Sequence, residues 1–156
     1  MARMGKVDFS KLAEFTNKVE QSLSKEEINL LMEACTKELA ARLLSKVIKR
    51  TPVGEYPSKS GKKGGTLRRG WTAEKNQAVT TYVNSLTINH NGDSYTIEIT
   101  NPVEYASYVE FGHRTRNHKG WVEGKFMLTI SEQEIQANSS KILESKLKKK
   151  LGECFK

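Results

Sequence analysis

The apolar stripe between Ile28 and Val47 constrains this chain more than any other feature. Ile28, Leu31, Cys35, Leu39, Leu43 and Val47 recur at steps of three and four, and Leu44 and Ile48 widen the stripe. That period places them on one face of a single helix. Ser24, with Glu27 three residues on, is a capping-box pattern and marks the start. Thr51-Pro52 marks the end, because proline pushes the residue before it out of helical geometry. A helix over 24–50 is about 40 Å long. It is apolar on one side only, so other elements of the chain must cover that side.

The covering elements are readable in the remainder. Phe9, Leu12, Phe15, Val19 and Leu23 predict a short helix over 8–22. Phe126, Met127, Ile130, Ile135, Ile142, Leu143 and Leu147 predict a second long helix over 126–150. Between them the pattern changes to period two. Leu86, Ile88 and His90 alternate with Ser85, Thr87 and Asn89, and Tyr95, Ile97 and Ile99 alternate with Thr96, Glu98 and Thr100. Asn91-Gly92 between these runs suits a type I′ hairpin turn. A lone hairpin is marginal in water, so Trp71–Lys75 and Thr80–Asn84 are expected to add strand to it. Antiparallel strands therefore span 71–100. After Asn101-Pro102 a short helix is predicted over 103–111, with Gly112 as its C-terminal cap. Tyr105, Tyr108 and Phe111, at steps of three, are read mainly as packing for that helix. The expected architecture is an α+β fold in one domain over 1–156. An antiparallel sheet of three to four strands is packed on one face by a long N-terminal helix and a C-terminal helix.

Residues 52–65, PVGEYPSKSGKKGG, form a loop. With few apolar anchors it is expected to be mobile in the isolated chain. It opens the first of three basic clusters, 59–69, 114–119 and 141–156, within a net charge of +8. Such a charge favours acidic protein surfaces, nucleic acid or anionic lipid without choosing among them. No apolar run approaches the ~18 residues of a membrane span, and MARMGKVDF lacks the apolar core of a secretory signal. Cys35 and Cys154 are far apart and fit no zinc spacing. Reduced thiols, and synthesis in a cytoplasm, are expected.

Catalysis finds little support. Ser107, His113 and Glu110 lie close in sequence, without the strained elbow or spacing of a nucleophile and its base. Glu104 and Glu110, six residues apart on a helix, fall on different faces and cannot both address one substrate. His90, His113 and His118 have no carboxylate or thiol placed to complete a metal shell. No cofactor is expected, and no enzyme. GKKGGT lacks the residue order of a phosphate-binding loop, and no known nucleic-acid-binding motif is present. Arginines beside exposed rings are instead the residue types that dominate protein interfaces. Lys59, Lys62, Lys63, Arg68, Arg69, Arg114, Arg116, Lys119 and Trp121 are the expected contacts with other proteins.

Four stretches occur in an order that resembles a known family. A long first helix ends in TPVGEYP, and GGTLRRGW follows. The hairpin leads into NPVEYASYVEFGHRT, and GWVEGKFML enters the last helix. This order is similar to the small tail-component proteins of tailed bacteriophages, often described as head–tail joining or tail completion proteins. The likeness spans roughly residues 25–150; the loop here is longer and richer in lysine than the family pattern. The resemblance implies a structural virion protein of a phage, or of a prophage-derived tail-like particle. It implies a place in the neck or upper tail, in a homo-oligomeric ring with a hexamer favoured. Neighbouring neck and tail proteins are its implied partners, with nonspecific contact to DNA in the lumen and no enzymatic residues. The competing reading is a basic nucleic-acid-binding domain.

Overall fold

The computed structural model describes residues 24–73, 75 and 77–154. The helix expected over 8–22 lies outside the described residues. Helix α1 spans Lys25–Arg50. Its start is the capping box: the Glu27 N–H donates to Ser24 Oγ at 3.3 Å, and the Ser24 N–H donates to Glu27 Oε2 at 2.9 Å. Its stripe is buried, with Leu44 and Val47 fully inaccessible. Thr51 turns extended at the end, and its N–H still donates to the Val47 carbonyl.

The last helix, here α5, spans Met127–Cys154. It runs antiparallel to α1, because Arg50 meets Ser131 and Glu134 near one end while Glu38 meets Lys146 near the other. Ile135 and Leu143 are buried in the seam, with Ile142 and Leu147 packed against it. Glu134 bridges Lys46 and Arg50 at 2.6 Å each. Such solvent-screened pairs add little to stability, so apolar burial does most of the holding and the ion pairs set the alignment.

The middle of the chain departs from expectation. Among the described residues of this region only one hairpin pairs, where three to four strands were expected. Strands β1 (Ile88–Asn91) and β2 (Ser94–Ile97) are antiparallel, with Ile88 opposite Ile97 and Asn91 opposite Ser94. The turn is therefore Gly92-Asp93, one residue later than expected. The positive φ falls at Gly92 alone of the two, which is a type II′ pattern and not I′. Tyr95 and Ile97 point inward onto α1, and the Tyr95 hydroxyl donates to Asn29 Oδ1 at 2.6 Å.

Of the segments expected to widen this sheet, Thr80–Asn84 is helical and Trp71–Ala73 is a turn. Helix α2 covers Thr66–Gly70 and continues into a turn at Trp71–Ala73. Helix α3 covers Val79–Ser85. Val79, Tyr82, Val83 and Leu86 stand at helical spacing, and they all pack into the main core. That spacing outweighs the β-branched composition of the segment. Trp71 is buried, and its indole N–H donates to Thr51 Oγ1 at 2.8 Å. The end of α1 and the α2 turn are thus tied at one point. Arg68 reinforces the tie by donating from Nε and Nη2 to the Thr51 carbonyl at 3.2 and 2.7 Å.

A second, separate hairpin follows helix α4 (Ala106–Phe111). Strands β3 (Gly112–Arg114) and β4 (Trp121–Glu123) pair with Arg114 opposite Trp121. The fold is α+β, and the described residues form two two-stranded antiparallel sheets beside a long helical pair.

Candidate assembly surface

The junction of α4, β3–β4 and α5 is built around Glu110. This residue is 2% exposed, although it is charged and sits on a six-residue helix. Its carboxylate accepts from the backbone N–H groups of Leu128 and Thr129, each at 2.9 Å, and from Thr129 Oγ1 at 2.7 Å. These are N–H groups in the first turn of α5, which lack partners inside the helix. The Lys125 and Phe126 N–H groups donate in turn to the carbonyls of Val109 and Glu110. The free carbonyls at the end of α4 and the free N–H groups at the start of α5 satisfy one another. A negative charge at that helix end is also favoured by the helix dipole.

Gly112 makes the reversal from α4 into β3 possible. Its φ is +85°, and a Cβ there would stand 2.5 Å from the Val122 carbonyl oxygen. The loop beyond β3 is closed by its own hydrogen bonds. The Thr115 N–H donates to the Gly120 carbonyl, the Gly120 N–H donates to Thr115 Oγ1, and the Lys119 N–H donates to Asn117 Oδ1. It presents Arg114, Arg116, Lys119 and Trp121 to solvent. Among the described residues, none of these three cations is in an ion pair.

The expected core role of Tyr105, Tyr108 and Phe111 is not what the structure shows. They are 45%, 58% and 52% exposed. The face of α4 that turns inward carries Ala106, Val109 and Glu110. Trp121, Val122, Phe126 and Ile130 are exposed as well. The same register that buries Glu110 is what turns the rings out.

The second basic group lies at the same end of α1. Residues 52–63 are exposed throughout, including Val53, Tyr56, Lys59, Lys62 and Lys63, with one 3-10 turn at Ser58–Ser60. The stem of this loop is tight: a Cβ on Gly64 would run into the Gly54 carbonyl. Arg69 reaches back to the Gly64 carbonyl at 3.3 Å. Arg68 and Arg69 therefore donate to backbone carbonyls, whereas the three lysines are free of ion pairs among the described residues. No hydrogen bond or ion pair among the described residues joins the two basic groups.

The geometry offers little to chemistry. Glu110 is committed to α5, and Ser107 and His113 share no hydrogen bond among the described residues. The His113 ring instead leans on Tyr108, with centroids 5.6 Å apart. Among the described residues no three His, Cys, Asp or Glu side chains cluster as metal ligands. A cleft of about 200 Å³ beside Trp71, Asn101, Val103 and Glu110 is smaller than the ~300–1,000 Å³ of most ligand sites. Among the described residues no helix is long and apolar enough to cross a membrane.

Sequence reasoning missed the exposed ring surface and the role of Glu110. A signal for the second existed. The helix that begins at Phe126–Met127 has no Ser, Thr, Asp or Asn at its start, so its N–H groups needed an acceptor from elsewhere.

A charged loop and five half-exposed rings stand in this part of the chain. A comparison with known families gives its class. A profile of the bacteriophage HK97-gp10 tail-component family matches residues 13–112, and the chain belongs to that family. It is a phage tail structural protein, and a tail component is found in the virion. No curated protein and no solved structure matches the chain.

Proposed function

We propose that this tail component joins the head or neck of a tailed phage, or of a prophage-derived tail-like particle, to its tail. It acts as a tail-completion subunit within a homo-oligomeric ring, a hexamer being favoured. The observation that carries this reading is the exposed surface at the α4–β3–β4–α5 corner, on a chain of the tail-component family. Trp121 is its apolar anchor. Arg114, Arg116 and Lys119 meet acidic neighbours, and Lys59, Lys62 and Lys63 contact a second neighbour through the loop at 52–65, which orders further on assembly. Arg68 and Arg69 hold the base of that loop. Neck and tail proteins are the partners, and the residual positive charge tolerates DNA in the lumen. The protein performs no catalysis. Negative-stain images of particles that lack it test the proposal. Separate heads and tails are expected, and normally joined particles would overturn it.

A further inference from the structure

The tip of the β1–β2 hairpin brings together two groups that can react with each other. Asn91 ends β1 and Gly92 opens the turn, and this is the one Asn-Gly step in the sequence. The backbone nitrogen of the residue after an asparagine can attack the asparagine side-chain carbon, because the five-membered ring closes within one chain. Two things slow that attack. A side chain on the following residue crowds its nitrogen, and hydrogen bonds hold the reacting groups apart.

Neither brake acts at Asn91. Gly92 has no side chain, and a Cβ there would meet nothing within 4 Å, so the space beside its nitrogen is open. Asn91 is exposed. Among the described residues its amide has no hydrogen-bond partner, and the Gly92 N–H has no acceptor. The other described asparagines differ. Asn29, Asn117 and Asn138 each have an amide end in a hydrogen bond. Asn101 is held at both ends, and the proline after it has no N–H to react. Asn84 and Asn89 lie inside α3 and β1 and are followed by Ser85 and His90, which carry side chains.

The attack requires the Asn91 backbone to turn out of its strand conformation. Only the Asn91–Ser94 pair beside the turn has to open for this, and end pairs open at small cost in free energy. The rest of the hairpin stays anchored, since Tyr95 donates to Asn29 and stacks on His90 at 4.2 Å.

We infer that Asn91 is a self-modifying site, which converts to aspartate and isoaspartate as the protein ages. The Gly92 nitrogen gives its proton to solvent base and bonds to the Asn91 side-chain carbon, and the amide nitrogen leaves as ammonia. The cyclic imide so formed takes up one water. Opening at the side-chain carbonyl restores the ordinary main chain with a carboxylate at position 91. Opening at the main-chain carbonyl routes the chain through the side chain. Nothing is oxidised or reduced. Both products place a new negative charge near Asp93. The second also lengthens β1 by a methylene, so the pairing of position 91 with Ser94 across a two-residue turn is lost. The hairpin lies on the Asn29 end of α1, and the loop at 52–65 leaves from the other end, so the conversion does not draw on the proposed assembly contacts.

The test ages the purified full chain in mildly alkaline buffer. Tandem mass spectrometry locates each amide-to-acid conversion, and an isoaspartyl methyltransferase labels the isoaspartyl product. Conversion is expected first at Asn91, with label appearing there. Asn91→Gln and Gly92→Ala are each expected to lose that label, with circular dichroism as the check on folding. Asn91→Gln leaves the positive φ at Gly92 undisturbed, so its loss of label is not a loss of fold. Conversion that comes first at any other asparagine overturns the inference. A folded chain that keeps the Asn91 amide while a urea-unfolded sample converts also overturns it, because the hairpin then protects the pair. Neither result depends on whether heads and tails join in the particle.

Discussion

Replacing Glu110 with Gln isolates what the buried carboxylate contributes. Gln keeps the volume and one acceptor oxygen, but its amide nitrogen must face at least one of the donors at Leu128 N, Thr129 N and Thr129 Oγ1. Hydrogen bonds to a charged group contribute about 1.5–3 kcal/mol each. One of them is lost outright and the others weaken. The charge at the α5 N-terminus is lost as well, worth up to ~2 kcal/mol in partly buried positions. A loss of about 3 kcal/mol is expected for Glu110→Gln. At ~2–4 °C per kcal/mol for a chain of this size, Tm should fall by about 6–12 °C. Thermal unfolding followed by circular dichroism, with urea midpoints as a check, measures it. Glu123→Gln on exposed β4 is the control and should stay within ~0.5 kcal/mol of wild type. If Glu110→Gln melts within about 2 °C of wild type, the carboxylate is not what joins α4 to α5, and the account of that corner fails.

Three further outcomes are expected. Gly70→Ala should cost ~1–3 kcal/mol by overpacking, because the new Cβ would collide with the Asn101 side chain and stand 2.8 Å from Val103 Cγ2; a urea midpoint unchanged from wild type would contradict this. Hydrogen bonds from Arg42 to Glu38 and from Lys46 to Glu134 hold these carboxyls below their ordinary value of 4.5. Their stabilisation is therefore complete above about pH 4.5 and is lost as pH falls through the lower folded values. Glu134→Gln should flatten the acid limb of a Tm-against-pH series, and an unchanged limb would refute the linkage. Duplex DNA titrated at several salt concentrations should show weak, sequence-independent binding. Replacing Lys59, Lys62 and Lys63 by Ala should lower the slope of log K on log salt by ~0.9 per phosphate contact removed. Tight, sequence-specific binding would instead favour a nucleic-acid-binding domain.

The long elements were legible because their signals are redundant. In α1, stripe, capping box and terminating proline agree, and the ends fall at Lys25 and Arg50. The β1–β2 hairpin was legible from alternation, although its turn lies one residue later. Short segments were not. Val79–Ser85 is rich in β-branched residues, and only the spacing of Val79, Tyr82, Val83 and Leu86 marks it as helix. On α4 two registers compete, and a purely apolar reading selects the rings. The observed register buries Glu110, because its capping of α5 offsets the desolvation of a carboxylate. That is a long-range contact, from residue 110 to residues 128 and 129, and no local pattern encodes it. The basic residues of the candidate surface were visible as types. Which of them are free and which support backbone depended on where Thr51 and Gly64 lie.

Thr51 gathers the last turn of α1, the Arg68 guanidinium and the Trp71 indole at a single residue, and Gly54 meets Gly64 just beyond it. The chain between those glycines is in effect a side branch with a locked base. Extending such a branch is cheap, at ~0.6 kcal/mol for each doubling of its length. Its reach and its lysine content are free to drift with whatever it touches in the particle, while the helical pair beneath keeps its register. An epitope tag spliced between Lys59 and Lys62 should leave the melting temperature almost unmoved, which makes this branch a convenient handle for locating the subunit in intact virions.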